Sequence, residues 1–202
     1  MAIGTARLLN WIRKSDIDVR PIDWCGLHRE YLIDGEMEVI AALVRDVGAQ
    51  TMVEIGCRDG RTARVLLANV PTLVRYVGID VPASYVPALY HQRFETVAFP
   101  GHLAESDPRF ELKIRDYGSL DLLPMDLPRC DAVFIDGDHS EIAVFRDSHL
   151  AASIVRPGGI VIWHDATNAQ VEVRSALDSL TADGWTINAI EGTWLAFCVG
   201  SD

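Results

Sequence analysis

The sequence predicts an α/β protein built on a mostly parallel, doubly wound sheet. Three observations carry this. Short apolar runs without polar alternation recur between segments of helical spacing, and such runs belong to strands buried on both faces. Several of these runs end in acidic or imidazole groups: Gly78-Ile79-Asp80, Phe134-Ile135-Asp136, and Ile162-Trp163-His164-Asp165. Polar strand ends gathered on one edge of an open sheet mark the edge where such sheets bind ligands. Finally, the last two apolar runs are joined only by Glu191-Gly192-Thr193, too short for a crossover helix, so this pair is expected to be an antiparallel hairpin.

The elements follow in order. Residues 1–35 are mixed and read as an N-terminal extension or lid; within them Leu8, Leu9, Trp11 and Ile12 suggest one face of a short helix, Leu8 and Ile12 being four apart. Residues 36–202 read as the main domain. Met37, Ile40, Ala41, Leu43 and Val44 recur at helical spacing from Glu36, with Gly48 as the stop. Strands are expected at 51–55, 74–79, 110–114, 131–135, 160–163, 185–190 and 194–199, and helices at 61–68, 142–154 and 171–180. Alternation of strand and helix implies helices on both sheet faces. The stretch from Val81 to Pro108, with Pro82, Pro87, Pro100 and Pro108, is the least regular and suggests an insertion beside the site or a helix near Pro87–Phe94. Arg156-Pro157-Gly158-Gly159 reads as a turn into a strand.

Composition narrows the function. The chain has 202 residues, 49% of them hydrophobic, which suits one domain with a filled core. Its formal net charge of −11 opposes binding to phosphate backbones, so nucleic acid is not an expected partner. The four cysteines are far apart with no CxxC pair, which argues against a cysteine zinc site; Cys57, Cys130 and Cys198 are expected as buried reduced thiols. No run of 18 apolar residues and no secretory pattern occur, so no membrane partner and a cytoplasmic location are expected. Self-association is left open.

Chemistry concentrates at the strand ends. Gly56 and Gly60 flank a strand-to-helix turn where glycine permits tight turning and close approach to a ligand. Arg58 interrupts the GxGxxG dinucleotide pattern, and no P-loop GK[ST] follows. Asp80, 20 residues after Gly60, could accept hydrogen bonds from ribose hydroxyls or could cap a loop. Asp136 and Asp165 could share a hard divalent cation, with His164 adding a nitrogen, or could be hydrogen-bonded without one. His139 could take a proton from a substrate hydroxyl or could simply begin a helix. Trp24, His28 and Tyr31 could cover an acceptor or pack the lid.

Taken together, Glu54-Ile-Gly56-x-x-x-Gly60-x-Thr62, Gly78-Ile79-Asp80, Phe134-Ile-Asp-Gly-Asp-His139-Ser140 and Arg156-Pro-Gly-Gly-x-x-x-x-His164-Asp165 resemble the class I S-adenosylmethionine-dependent methyltransferases. The group it is most similar to is the small-molecule O-methyltransferases that include macrocin-type sugar methyltransferases, over roughly Met37–Val199. The resemblance implies a Rossmann-like seven-stranded sheet whose C-terminal strand is antiparallel. It implies that Glu54, Gly56 and Gly60 line the methionine part of S-adenosylmethionine, that Asp80 holds its ribose, that Asp116 and Tyr117 lie near the adenine, and that Asp136 borders the cofactor. In metal-dependent relatives, acidic or amide side chains at the positions of Asp136, His164 and Asp165 bind magnesium and the position of His139 supplies the catalytic base; this chain has His164 where those relatives usually have an acid. The expected function is methyl transfer to a hydroxyl of a small-molecule acceptor, with a divalent metal as an optional aid. Alternatives are a non-catalytic cofactor-binding or assembly protein and a nucleotide-dependent oxidoreductase, the latter disfavoured by the absent GxGxxG.

Overall fold

A computed structural model describes residues 9–29, 32–86 and 96–200. Eight strands form one sheet in the order β1-β7-β8-β6-β5-β2-β3-β4. They are β1 (Asn10–Ile12), β2 (Thr51–Ile55), β3 (Arg75–Asp80), β4 (Phe110–Ile114), β5 (Cys130–Ile135), β6 (Val155–Trp163), β7 (Asn188–Ile190) and β8 (Ala196–Val199). The helices are α1 (Glu36–Asp46), α2 (Arg61–Asn69), α3 (Glu141–Ile154) and α4 (Val173–Ala182). All pairings are parallel except those of β8, which runs antiparallel to both β6 and β7. The expected terminal hairpin is therefore present, with β8 inserted between β6 and β7.

Alternation along each central strand builds two cores. Met52, Ala132, Phe134, Ile160 and Ile162 face α1 and α2, together with Met37, Ile40 and Leu66. Val53, Ile55, Val133, Ile135, Val161 and Trp163 face α3 and α4, with Val144, Ala151 and Leu177. A strand apolar on both faces is what the unbroken runs encode.

The sheet has eight strands where the resemblance implied seven. The extra one is β1, at the edge expected to be helical. Its Asn10–Ile12 backbone pairs in parallel with Asn188–Ile190. Edge pairing satisfies backbone groups that a three-residue helix would leave open. Leu9 is buried in the core on the α3 side; Leu8, and with it the proposed Leu8–Ile12 helical pair, lies outside the described residues, as does the suggested helix at Pro87–Phe94. The Arg156–Gly159 turn is also absorbed into the sheet: β6 starts at Val155, and its register against β5 shifts between Cys130 and Ala132. Arg156 there pairs with Asp131 and donates to the Val47 carbonyl, stitching the lower sheet edge to the end of α1.

The chain steps from β2 outward to β3 and β4, then returns to β5 on the other side of β2. That reversal opens a crevice at the carboxyl ends of β2 and β5, where ligands bind in open α/β sheets.

Candidate active site

Two cavities meet at this crevice. One, about 120 Å³, is lined by Gly56, Ile79, Asp80, Tyr85, Tyr117, Ser119, Asp136 and Asp138 among others. The second, about 460 Å³, is lined by Leu32, Ile33, His139, His164, Asp165, Asn168, Gln170, Val171 and Trp194. Gly56, Arg58 and Asp136 belong to both.

The turn after β2 is shaped by contact. Gly56 has φ +85°, and a Cβ there would lie 2.2 Å from the Asp136 carbonyl oxygen. Only glycine lets the ends of β2 and β5 abut. Gly60, with φ +86°, is crowded instead by the Gly101 backbone and lines neither cavity: the segment beyond it donates from Gly101 N–H to the Arg58 carbonyl and from Leu103 N–H to that of Asp59. Glu54 is also away from both cavities. It is buried, accepts the Tyr76 hydroxyl at 2.9 Å, and burial pushes its carboxyl up to about 8.

Asp80 ends β3 facing the first cavity. It accepts the Val81 N–H at 2.7 Å and the Arg58 N–H. Burial raises its pKa, while the two amides and the Cys57 thiol favour the charged form. Tyr117 lines this cavity and is exposed; Asp116 is exposed and does not line it.

The second cavity holds the densest polar cluster. His139 Nε2 lies 3.4 Å from Asp136 Oδ1 and 3.4 Å from Asp165 Oδ2. His164 Nδ1 lies 3.2 Å from the same two oxygens, and its Nε2 lies 3.2 Å from Glu36 Oε2. Both His164 nitrogens thus face carboxylates. Burial disfavours an imidazolium, yet the Asp136 charge and the bonds to Asp136, Asp165 and Glu36 raise its pKa well above the usual value. Burial likewise opposes charge on Asp136 and Asp165, but the histidines hold both carboxyls below the usual range. Asp165, at φ +56°, is fixed by the Asn168 amide at 2.7 Å.

Asp136, His139 and Asp165 each offer one ligand atom within 4.8 Å of the others, the one such group among the described residues. Two carboxylate oxygens and an imidazole nitrogen at that spacing fit a single divalent cation. His164, expected as a ligand, stands behind this trio with both nitrogens engaged. Glu36 was read only as a helix start, and no local pattern links it to His164, 128 positions away. Arg58, noted only for interrupting a motif, borders both cavities. Of the expected cover residues, Trp24 carries the Arg29 guanidinium 5.2 Å above its ring and the His28 carbonyl accepts Arg61, but neither lines a cavity; Tyr31 lies outside the described residues.

A reversing parallel sheet with paired cavities at its switch point, one of them edged by a strand-end acid, defines a ligand-binding α/β fold. Residues 53–166, more than half the chain, match the family described as "Methyltransferase domain", and the chain belongs to it. It is similar to protein R132 of Acanthamoeba polyphaga mimivirus, 28% identical over 137 residues, 66% of this chain and 60% of that protein. The chain thus spans about 60% of the length of that curated relative. Among solved structures it resembles the O-methyltransferase NovP, with TM-score 0.66 and 14% identity over 83% of this chain and 80% of that one. It also resembles TomG from Streptomyces achromogenes, an O-methyltransferase involved in tomaymycin synthesis solved in complex with SAM, with TM-score 0.57 and 18% identity over 84% and 82% of the two chains. These likenesses establish the fold.

Proposed function

We propose that the chain transfers the methyl group of S-adenosylmethionine to a hydroxyl of a small molecule. The observation that carries this reading is the meeting of two cavities at Asp136, one edged by Asp80 and the other by His139. The family membership and the SAM complex of TomG support the cofactor. S-adenosylmethionine supplies an electrophilic methyl: the acceptor oxygen–carbon bond forms as the sulfonium–carbon bond breaks, leaving S-adenosylhomocysteine. Asp80, a strand-end carboxylate on the first cavity, would accept from the ribose hydroxyls. Tyr117 and Ser119 border the base, and Gly56 lets the backbone approach the amino-acid end. The enclosed part of the first cavity holds only a portion of the cofactor; the rest would run along its open rim past Tyr85 and Thr96.

The acceptor occupies the larger cavity. Its Leu32–Ile33 wall gives the N-terminal extension a role as acceptor wall. That segment is tied down: the Asn69 amide accepts Asp23 N–H and donates to the Asp23 carbonyl, each at 2.7 Å. His139 takes the hydroxyl proton on Nε2 as the new bond forms, and Asp136 and Asp165, each 3.4 Å from that nitrogen, stabilise the charge the ring gains.

A second reading is favoured by the convergence of Asp136, His139 and Asp165, which would hold a divalent cation there. When bound, it would lower the pKa of the hydroxyl. His139 Nε2 cannot be ligand and base together, so a chelator separates the readings. The test is methyl transfer from S-adenosylmethionine to a panel of catechols, hydroxy acids and sugar nucleotides, with calorimetry of S-adenosylhomocysteine binding. Activity lost with chelator and restored by magnesium or manganese selects the cation; unchanged activity selects His139 as base. Absence of S-adenosylhomocysteine binding overturns the assignment.

A further inference from the structure

Glu36 lies outside the segment that matches the family, yet it is wholly buried and touches the cluster from the opposite side. Its Oε2 faces His164 Nε2 at 3.2 Å and accepts the Ile33 N–H at 2.7 Å; its Oε1 accepts the Trp194 N–H. Ile33 and Trp194 both line the larger cavity, contributed by the N-terminal extension and the β7–β8 turn. A single carboxylate therefore binds both walls and the back of the ring that faces Asp136 and Asp165. The ring has little freedom otherwise. Phe134 meets it edge-on at 6.4 Å, and the Trp194 ring lies 6.1 Å away. With both aromatic neighbours in place, the direction of Nδ1 is set by what Nε2 bonds.

We propose that Glu36 is the positioning residue of this site: acting through His164, it aims the Asp136 and Asp165 carboxylates at His139, and through two backbone amides it sets the width of the acceptor cavity. This rests on the methyltransferase reading. It predicts an asymmetry, because Glu36 contacts no lining residue peculiar to the cofactor cavity. Loss of the carboxylate disturbs acceptor binding and turnover and leaves cofactor binding alone. Replacement by glutamine is informative, since the amide keeps one acceptor but places a donor either against the Trp194 N–H or against both the Ile33 N–H and His164 Nε2.

The experiment compares the full chain with Glu36→Gln, His164→Gln and the double variant. The readouts are S-adenosylhomocysteine affinity by calorimetry, ring-proton NMR of His164, and methyl transfer to the best acceptor of the panel. Glu36→Gln is expected to bind S-adenosylhomocysteine within about twofold of the original chain. It should lose the hydrogen-bonded Nε2 proton signal of His164, raise acceptor KM, and slow turnover by ~10-fold or more, the scale of one lost charge-assisted hydrogen bond. The double variant should be no slower than His164→Gln. Unchanged KM and turnover in Glu36→Gln, or additive losses in the double variant, overturn the proposal. Should Glu36→Gln fail to fold, Glu36→Asp, which retains charge but withdraws it by one methylene, carries the same expectations. A chain that binds no S-adenosylhomocysteine counts against the methyltransferase reading alone, and the His164 proton signal then decides: its persistence in Glu36→Gln overturns the role of Glu36.

Discussion

In the proposed reaction Asp80 and His139 divide the work of the site between its two cavities, and each can be removed separately. Asp80→Ala deletes an ionised acceptor, and hydrogen bonds to charged groups are worth roughly 1.5–3 kcal/mol each. Its S-adenosylhomocysteine Kd should rise at least ~10-fold by calorimetry; an unchanged Kd removes the ribose role. His139→Ala should do the reverse: normal cofactor affinity with turnover lowered ~10²–10⁴-fold, the usual contribution of a general base. A variant with normal turnover returns His139 to a polar residue ahead of α3. That Asp80, Asp136, His139 and Asp165 line the crevice was legible because each follows an apolar run, so the strand carries it to that edge of the sheet. Glu36 was not, since its partners arrive from distant strand ends. Asp116 and Tyr117 were placed only by resemblance, and of the two Tyr117 alone reaches a cavity.

At the scale of elements, the N-terminal extension is held by the pairing of β1 with β7, by apolar packing of Ile17, Val19, Ile22, Trp24, Leu27 and Leu32 on the core beside α1 and α2, and by polar ties. Asn69 at the end of α2 makes two of these with Asp23. Asn69→Ala should raise acceptor KM several-fold and increase amide hydrogen exchange across residues 20–29, with S-adenosylhomocysteine affinity unchanged. Equal loss at both cavities would mean that the tie supports the fold in general. The helices and central strands were readable because burial imposes a period of 3.6 on one and continuous apolarity on the other. β1 was misread because three residues of strand carry no period, and its identity comes from pairing with Asn188–Ile190. The Pro157-Gly158-Gly159 stretch has turn chemistry, yet β5 pairs across it by a register shift.

For the whole molecule, two buried acids contribute to the response of stability to pH. Asp147 in α3 accepts the Ser119 hydroxyl at 2.6 Å, and burial raises its pKa to about 7. Its ordinary value is 3.8. Between these values the folded chain keeps a proton that the unfolded chain has released, so stability falls as pH rises from about 4 to about 7. Glu54, raised to about 8, has the same sign over a window reaching slightly higher. For Asp147 the full effect is at most about 4 kcal/mol. Asp147→Asn should therefore flatten the decline: urea midpoints at pH 5 and pH 8 should differ less than in the original chain. An equal or larger difference would show that Asp147 is not the group responsible. No helix among the described residues is long and apolar enough to cross a membrane.

The parallel pairing of β1 with β7 has a consequence for synthesis. Asn10–Ile12 leaves the ribosome before any other described strand, yet its partner follows 178 residues later. Every lining residue of the cofactor cavity falls between Ile55 and Ala143, whereas the larger cavity needs Trp194 as well. Vectorial production thus emits every lining residue of the smaller cavity before the last lining residue of the larger one. On the proposed function, a nascent chain has the place for its methyl donor before the place for the acceptor is made, and the β1 segment waits unpaired until residues 188–190 emerge.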